Sequence, residues 1–332
     1  MILAGKKVLV TGGAGFIGSH LVDALITEAG HVRVFDNLSN GKKENFHHHN
    51  GSNLFEFMLG DVTDPCGVSK AMAGIDVVFH LATLGVRHSI KHPFENHRVN
   101  AEGTLLVLRE AYKADVKKFV YCSSSEVYGT AEYVPMPENH PTYPCTVYGA
   151  SKLAGEAYTR AYYKTYGLNT IIIRPFNTYG PRSHHEGDAG EMIPKSIVRS
   201  LAGKPILIFG DGSQTRDFTF VEDIASGLIA ASKCDVLVGE TLNIGSNFEI
   251  SMRDIAEIIK KKIGYSLKVE FTRERPGDVL RLYADSSRFC KITNWKPKIA
   301  LEEGLAKTID WFKSRQEGIQ YLIGQEKGIN WE

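Results

Sequence analysis

Apolar residues along the chain fall into short runs of strand length, separated by stretches in which they recur at helical spacing. Residues 7–10 (Lys-Val-Leu-Val) form the first run, which ends at Thr11-Gly12-Gly13-Ala14-Gly15. From Ile17 onward, Leu21, Leu25 and Ile26 share one face of a predicted helix. A second strand is predicted at 31–36, closing on Asp36, and residues 37–52 are polar and read as loop. The alternation continues with strands at 54–59, 77–80, 119–122 and 170–174, and helices at 68–73, 96–113 and 148–166. Strands that are largely apolar, alternating with helices, fit a parallel sheet covered on both faces. The expected architecture is α/β, a doubly wound parallel sheet. Ligands of such a sheet sit beyond the carboxyl ends of its strands, where Gly12, Asp36, Asp61, Ala82 and Ser124 all fall.

Beyond Pro175 the pattern loosens. Gly180-Pro181, Gly203-Lys204-Pro205 and Gly210-Asp211-Gly212 punctuate shorter helices predicted at 192–202, 221–232 and 252–262. This predicts a dinucleotide-binding domain over 1–178, a smaller substrate-binding α/β domain over 179–315, and a polar, loosely docked tail over 316–332. Segment 218–245, notably 218–231 and 241–244, is expected to return to the main sheet. With 332 residues, 43% of them hydrophobic, the chain can bury one large core or two modest ones.

Charge and cysteine usage narrow the function. Lys and Arg number 39 against 38 Asp and Glu, so no net field draws the chain to nucleic acid or anionic lipid. The apolar runs are too short to span a bilayer, and the first strand begins too early to leave room for a secretory signal. Cys66, Cys122, Cys145, Cys234 and Cys290 are scattered and form no C-x-x-C pair, which predicts reduced thiols in the cytoplasm and no structural zinc. His47-His48-His49 cannot all face one ion from a regular element, so a solvated loop is expected there rather than a metal site.

Gly12, Gly15 and Gly18 stand three apart between the first strand and its helix. A dinucleotide pyrophosphate must approach bare backbone amides at a helix N-terminus, where the dipole favours negative charge. Glycine at the first two positions permits that approach, and the third lets helix and strand pack closely. Asp36, at the end of the second strand, is placed to accept from the ribose hydroxyls of NAD and to repel a 2′-phosphate. The first half therefore reads as a Rossmann-type NAD-binding unit.

Tyr148 and Lys152 stand four apart on one predicted helix and project from the same face. An ammonium beside a phenol stabilises the phenolate, so Tyr148 is a candidate base despite a free pKa of about 10. Ser123-Ser124-Ser125-Glu126 ends the fifth strand at the same sheet edge, where a hydroxyl can share the hydrogen bond to a substrate alcohol. Glu126 is either a second base or a carboxylate hydrogen-bonded within its own loop. Segment 183–188 (Ser-His-His-Glu-Gly-Asp) is either a proton relay or a polar surface loop.

These residues carry a family resemblance. The chain resembles an extended short-chain dehydrogenase/reductase of the nucleotide-sugar epimerase/dehydratase family, from the first strand to about Phe312. The motifs are Thr11-Gly12-Gly13-Ala14-Gly15-Phe16-Ile17-Gly18, His80-Leu81-Ala82, Asn100-Ala101-Glu102-Gly103-Thr104 and Tyr148-Gly149-Ala150-Ser151-Lys152. They also include Arg174-Pro175-Phe176-Asn177, Arg216-Asp217-Phe218 and Arg275-Pro276-Gly277-Asp278. The resemblance implies a homodimer, NAD as cofactor and a nucleotide-diphosphate sugar, a UDP-sugar favoured, as substrate. Tyr148 would be the base, Lys152 would bind the nicotinamide ribose, and Ser124 would polarise the sugar hydroxyl. Gly12, Gly15, Phe16, Ile17, Gly18, Asp36, Asn37, Asp61, Val62, Leu81, Ala82 and Asn100 would line the cofactor cleft. Ser125, Asn177, Arg216, Arg275 and Asp278 would meet the sugar diphosphate; a guanidinium fork suits phosphate oxygens.

The shared first step of the family is oxidation at C4 of the sugar. Return of the hydride to the other face gives a 4-epimerase, and loss of water or carbon dioxide needs a second base such as Glu126. Dehydratases of the family typically show Thr-Asp-Glu where this chain has Ser124-Ser125-Glu126, and serine is a poor acid. The leading expectation is thus a 4-epimerase, followed by a 4,6-dehydratase and a UDP-glucuronate-type decarboxylase. A nucleotide-sensing scaffold on the same fold would be expected to lack Tyr148 or Lys152.

Overall fold

The computed structural model describes residues 1–264 and 266–332. Six parallel strands open the chain: β1 (Lys7–Thr11), β2 (His31–Asp36), β3 (Phe55–Leu59), β4 (Val77–His80), β5 (Lys118–Cys122) and β6 (Thr170–Pro175). The later strands are β7 (Asn177–Tyr179), β8 (Ile206–Phe209), β9 (Thr215–Phe220), β10 (Thr241–Ile244), β11 (Glu249–Ser251), β12 (Val269–Thr272) and β13 (Arg281–Leu282). The main sheet runs β10-β6-β5-β4-β1-β2-β3, all parallel, so the strand order reverses between β1 and β4. That reversal opens a crevice at the carboxyl edge of the sheet.

The helices used below are α1 (Phe16–Ile26), α2 (Pro65–Met72), α3 (Val86–Lys91), α4 (Pro93–His97), α5 (Gly103–Lys113), α6 (Val147–Tyr166), α7 (Met192–Leu201) and α8 (Val221–Lys233). Side chains alternate across a strand, and β1 shows the consequence. Val8 and Val10 join one buried cluster with Leu21 and Leu25 of α1 and Ile224 and Leu228 of α8. Leu9 joins the opposite cluster with Val68 of α2 and Val107 and Leu108 of α5. Both faces are dry, as apolar strands require. A separate core gathers Ile193 and Ile197 of α7, Ile206 and Ile208 of β8, and Leu322 and Ile323 near the end of the chain.

Several expectations are corrected. β10 does add to β6 at the sheet edge, but residues 218–220 lie in β9, which pairs with β7, β11 and β13 in a separate sheet. Only α8 from that stretch packs on the main sheet. The helix expected over 96–113 is α4, a wide π-helical turn at Arg98–Glu102, and α5. The tail is firmly packed. Its helix Ile319–Gln325 buries Leu322 and Ile323, Trp331 meets Phe209 edge-to-face, and Asn330 Nδ2 donates to Gly190 O at 2.8 Å. Its sparse apolar residues find partners more than 100 residues away, which local polarity conceals. Nor is the histidine run simply solvated: in a short turn, His48 and His49 both reach Asp23 of α1. Among the described residues, no helix is long and apolar enough to cross a membrane, and the five cysteines are free thiols.

One buried ion pair ties the elements together. Glu156 of α6 is fully buried and accepts from Arg174 of β6 (2.8 and 2.6 Å) and from Ser123 Oγ at the end of β5 (2.6 Å). Burial pushes the Glu156 carboxyl up, but the Arg174 guanidinium outweighs it and holds the group below the ordinary range. Removing one partner of such a pair strands the other charge in the interior. Glu156→Ala is therefore expected to cost about 3–5 kcal/mol, read as a lowered urea midpoint. An unchanged midpoint would show that the network bears no load.

Candidate active site

The cleft at the carboxyl edge encloses about 430 Å3 and runs from Asp36 and Asp61 to Arg216 and Arg275. Its floor is the glycine turn. Gly12 has φ +71°, and a Cβ there would lie 2.6 Å from Ala82 N. A Cβ on Gly18 would sit 2.1 Å from Gly12 O, so α1 can lie this close to the turn only with glycine. Gly15 caps α1 with no side-chain cap and no acid follows in the first turn, leaving the Phe16 and Ile17 end of the helix open to an anion.

The far wall of this end is acidic. Asp36 accepts from Ala14 N (2.9 Å) and Leu38 N (2.8 Å), which stitches β2 to the glycine turn. Its burial raises the carboxyl despite both amides. Asp61 accepts from the Thr63 backbone and hydroxyl and from Asn37 Nδ2. Asn37, Val62, Leu81 and Ala82 line the same cleft. Asn100 does not. It is buried behind the 83–85 loop, accepting from Leu84 N and donating to Leu84 O. The wide turn at Arg98–Glu102 aims its amide at that loop, and Asn96 donates to Leu84 O and Gly85 O beside it.

Midway along the cleft, Tyr148 and Lys152 line it together from the first two turns of α6. Thr146 caps this helix by accepting from Gly149 N. Ser124, Ser125 and Glu126 come in from the end of β5, and the Ser124 hydroxyl accepts from Glu126 N at 3.2 Å. The electrostatics differ from the expectation of a lysine-activated phenol. Burial pushes Tyr148 well above its ordinary value, and the nearby Ser124 hydroxyl offsets only part of that. Burial likewise lowers Lys152 to about 8, and its Nζ donates to Cys122 O at 2.5 Å. Without ligand, then, the phenol keeps its proton. Glu126 makes no hydrogen bond from its carboxylate to the described residues, which removes the loop-bonded alternative.

At the other end, Arg216 Nη2 (2.9 Å) and Arg275 Nη2 (2.5 Å) both donate to Asp278 Oδ1. One carboxylate thus holds two guanidiniums side by side and leaves a net positive charge. Arg275 Nε and Asn177 Oδ1 are buried without partners.

With this geometry in place, comparison with known proteins decides the family. The family model for GDP-mannose 4,6-dehydratase matches residues 9–308. The chain belongs to the nucleotide-sugar epimerase/dehydratase family. It is 38% identical over 315 residues to the UDP-glucose 4-epimerase of Mycolicibacterium smegmatis, spanning 94% of this chain and 100% of that one. It is 33% identical over 318 residues to UDP-glucuronic acid decarboxylase 1 of Xenopus tropicalis, spanning 94% and 73%. The structure of dTDP-glucose 4,6-dehydratase from Streptomyces venezuelae, with NAD bound, superposes with a TM-score of 0.89 at 30% identity, over 95% of this chain and 99% of that one. A 4-epimerase, a decarboxylase and a 4,6-dehydratase are thus represented among similar proteins.

Two charged residues of this family member escaped the sequence reading. Arg87 and Glu191 line the cleft near Glu126 and Arg275. Burial lowers Arg87 to about 10, with Arg275 adding to the effect. Burial raises Glu191 against the pull of Arg87 and His184. Arg87 follows the fourth strand closely enough for the sheet-edge rule to have marked it; Glu191 depends on how loop 183–191 folds. That loop is no free surface segment. Glu186 pairs with Lys42 at 2.6 Å and with His185 at 3.0 Å, while His184 lines the cleft.

Lys152 offers a direct check. Its amine is expected to titrate near pH 8 in the ligand-free protein, against an ordinary 10.5. The unfolded chain keeps that proton to higher pH, so this group adds stability as pH rises from about 8 toward 10.5. Lysine-selective carbon NMR reads the midpoint, and a value near 10.5 would refute the assigned environment.

Proposed function

We propose that the protein is an NAD-dependent nucleotide-sugar 4-epimerase acting through a transient 4-keto-hexose. The observation that carries this reading is one continuous cleft joining a bare helix N-terminus, a Ser124–Tyr148–Lys152 set and a paired-arginine end. NAD fits the first part: the amide end of α1 takes its pyrophosphate, and Asp36 its adenosine ribose. When bound, NAD would supply a reversible hydride acceptor for the sugar carbon. Lys152 orients the nicotinamide ribose. Ser124 holds the C4 hydroxyl, and Tyr148, once deprotonated, takes its proton and later returns it. Arg216 and Arg275 bind the diphosphate bidentately, favoured as that of a UDP-sugar, with Asn177 and Ser125 along the sugar.

The nature of residue 125 favours epimerisation, because a serine cannot protonate a departing C6 hydroxyl as an acid would. The identity to a UDP-glucose 4-epimerase supports the same choice. A second reading rests on Glu126, whose unpaired carboxylate in the cleft could serve as a base for loss of water or carbon dioxide. A homodimer is proposed as well, through α5 and α6, where Leu105, Tyr112 and Tyr166 are exposed.

Incubation with NAD and a panel of UDP-, dTDP-, GDP- and CDP-sugars, read by mass spectrometry and proton NMR, tests the reaction. Unchanged mass with an inverted C4 proton pattern is expected; loss of water or carbon dioxide would replace the epimerase reading by the Glu126 one. Tyr148→Phe is expected to lower turnover by about 10²–10⁴-fold while NAD still binds. Undiminished turnover would remove Tyr148 from the mechanism. Asp36 predicts that NAD binds more than about tenfold tighter than NADP, and equal affinities by calorimetry would contradict that.

A further inference from the structure

Asp23, His48 and His49 converge although they come from two elements. Asp23 projects from α1, and the two histidines from the short turn His47–His49. One donor atom from each lies within 4.8 Å of the others. His48 Nε2 is 2.8 Å and His49 Nε2 2.7 Å from the same oxygen, Asp23 Oδ1, and the two rings lie 4.0 Å apart. The other carboxylate oxygen, Oδ2, is held at 2.8 Å by Arg182 Nη2.

Two imidazoles aiming the same ring nitrogen at one carboxylate oxygen is an arrangement that a metal ion can replace. Tetrahedral zinc keeps its nitrogen and oxygen donors roughly 3.3 Å apart, so these atoms need to separate by only about half an ångström. The Arg182 guanidinium cuts both ways. It fixes the carboxylate orientation, as outer-shell partners of metal ligands do, and its charge weakens the site. Two nitrogens and a single oxygen suit a borderline transition cation and not magnesium or calcium, which take mostly oxygen. His48 is half exposed, so water can complete the fourth position.

We propose that Asp23, His48 and His49 form a zinc-type divalent cation site, distinct from the reaction cleft, that clips the 37–52 loop to α1. The loop it would fasten carries Asn37, Ser39 and Asn40 along the adenosine end of the cleft. The site thus sits behind the cofactor-binding wall and takes no part in the chemistry.

The test uses tag-free, chelator-treated full-length protein. Calorimetry with zinc is expected to give one equivalent bound, an upward shift of Tm with zinc concentration, weakening on acidification, and no response to magnesium. Binding should weaken more than tenfold in His48→Gln or His49→Gln and vanish in the double variant, with the metal-free circular dichroism unchanged. Cobalt added to the unmodified protein should broaden the imidazole proton signals of His48 and His49, a readout that needs no variant. Absence of zinc binding, binding that survives the double variant, or broadening confined to other histidines would each overturn the proposal.

Discussion

The Glu156–Arg174 pair is the constraint on which the candidate site depends. It joins α6, which carries Tyr148 and Lys152, to β6 and, through Ser123, to the end of β5, which carries Ser124. A second arm extends from Arg174 to the Tyr128 hydroxyl and on to Asn243 of β10. Four elements are thereby registered to one another. A buried ion pair is a weak source of net stability, because desolvation offsets most of the attraction. What it gives here is position: the proposed base and the proposed polarising hydroxyl sit on separate elements, and such a pair needs its relative placement fixed to a fraction of an ångström.

Burial sets the chemistry of the same region. It raises the Tyr148 phenol and lowers the Lys152 ammonium, so both groups lean toward their neutral forms in the ligand-free protein. The reading of the pair as self-activating took account of charge and left out desolvation. Glu191 follows the same rule, since its burial also favours the neutral acid.

What was legible in the sequence was local. The glycine turn, the Tyr148–Lys152 spacing and the strand-helix alternation are each written within a few residues, and steric or periodic rules read them directly. Asn100 was read into the cleft because its position along the chain is right; a wide turn rotates its side chain away. The tail was read as loose because Leu322, Ile323 and Trp331 are spaced among polar residues. His48 and His49 looked solvated because Asp23 lies on another element. For the tail and for the histidines the deciding partner lies on a separate element, and no local rule contains it.

The packed tail has a bearing on how the molecule comes into being. Glu326, almost fully buried, pairs with Lys195 and Arg199, and both of those residues line the cleft. Asn330 holds the carbonyl of Gly190, immediately before Glu191. During synthesis the glycine turn emerges among the first twenty residues, whereas the wall bearing Gly190, Lys195 and Arg199 lacks its backing until residues 319–331 have been made. The glycine-turn end of the cleft can thus assemble on the ribosome well before the end lined by Lys195 and Arg199 is backed.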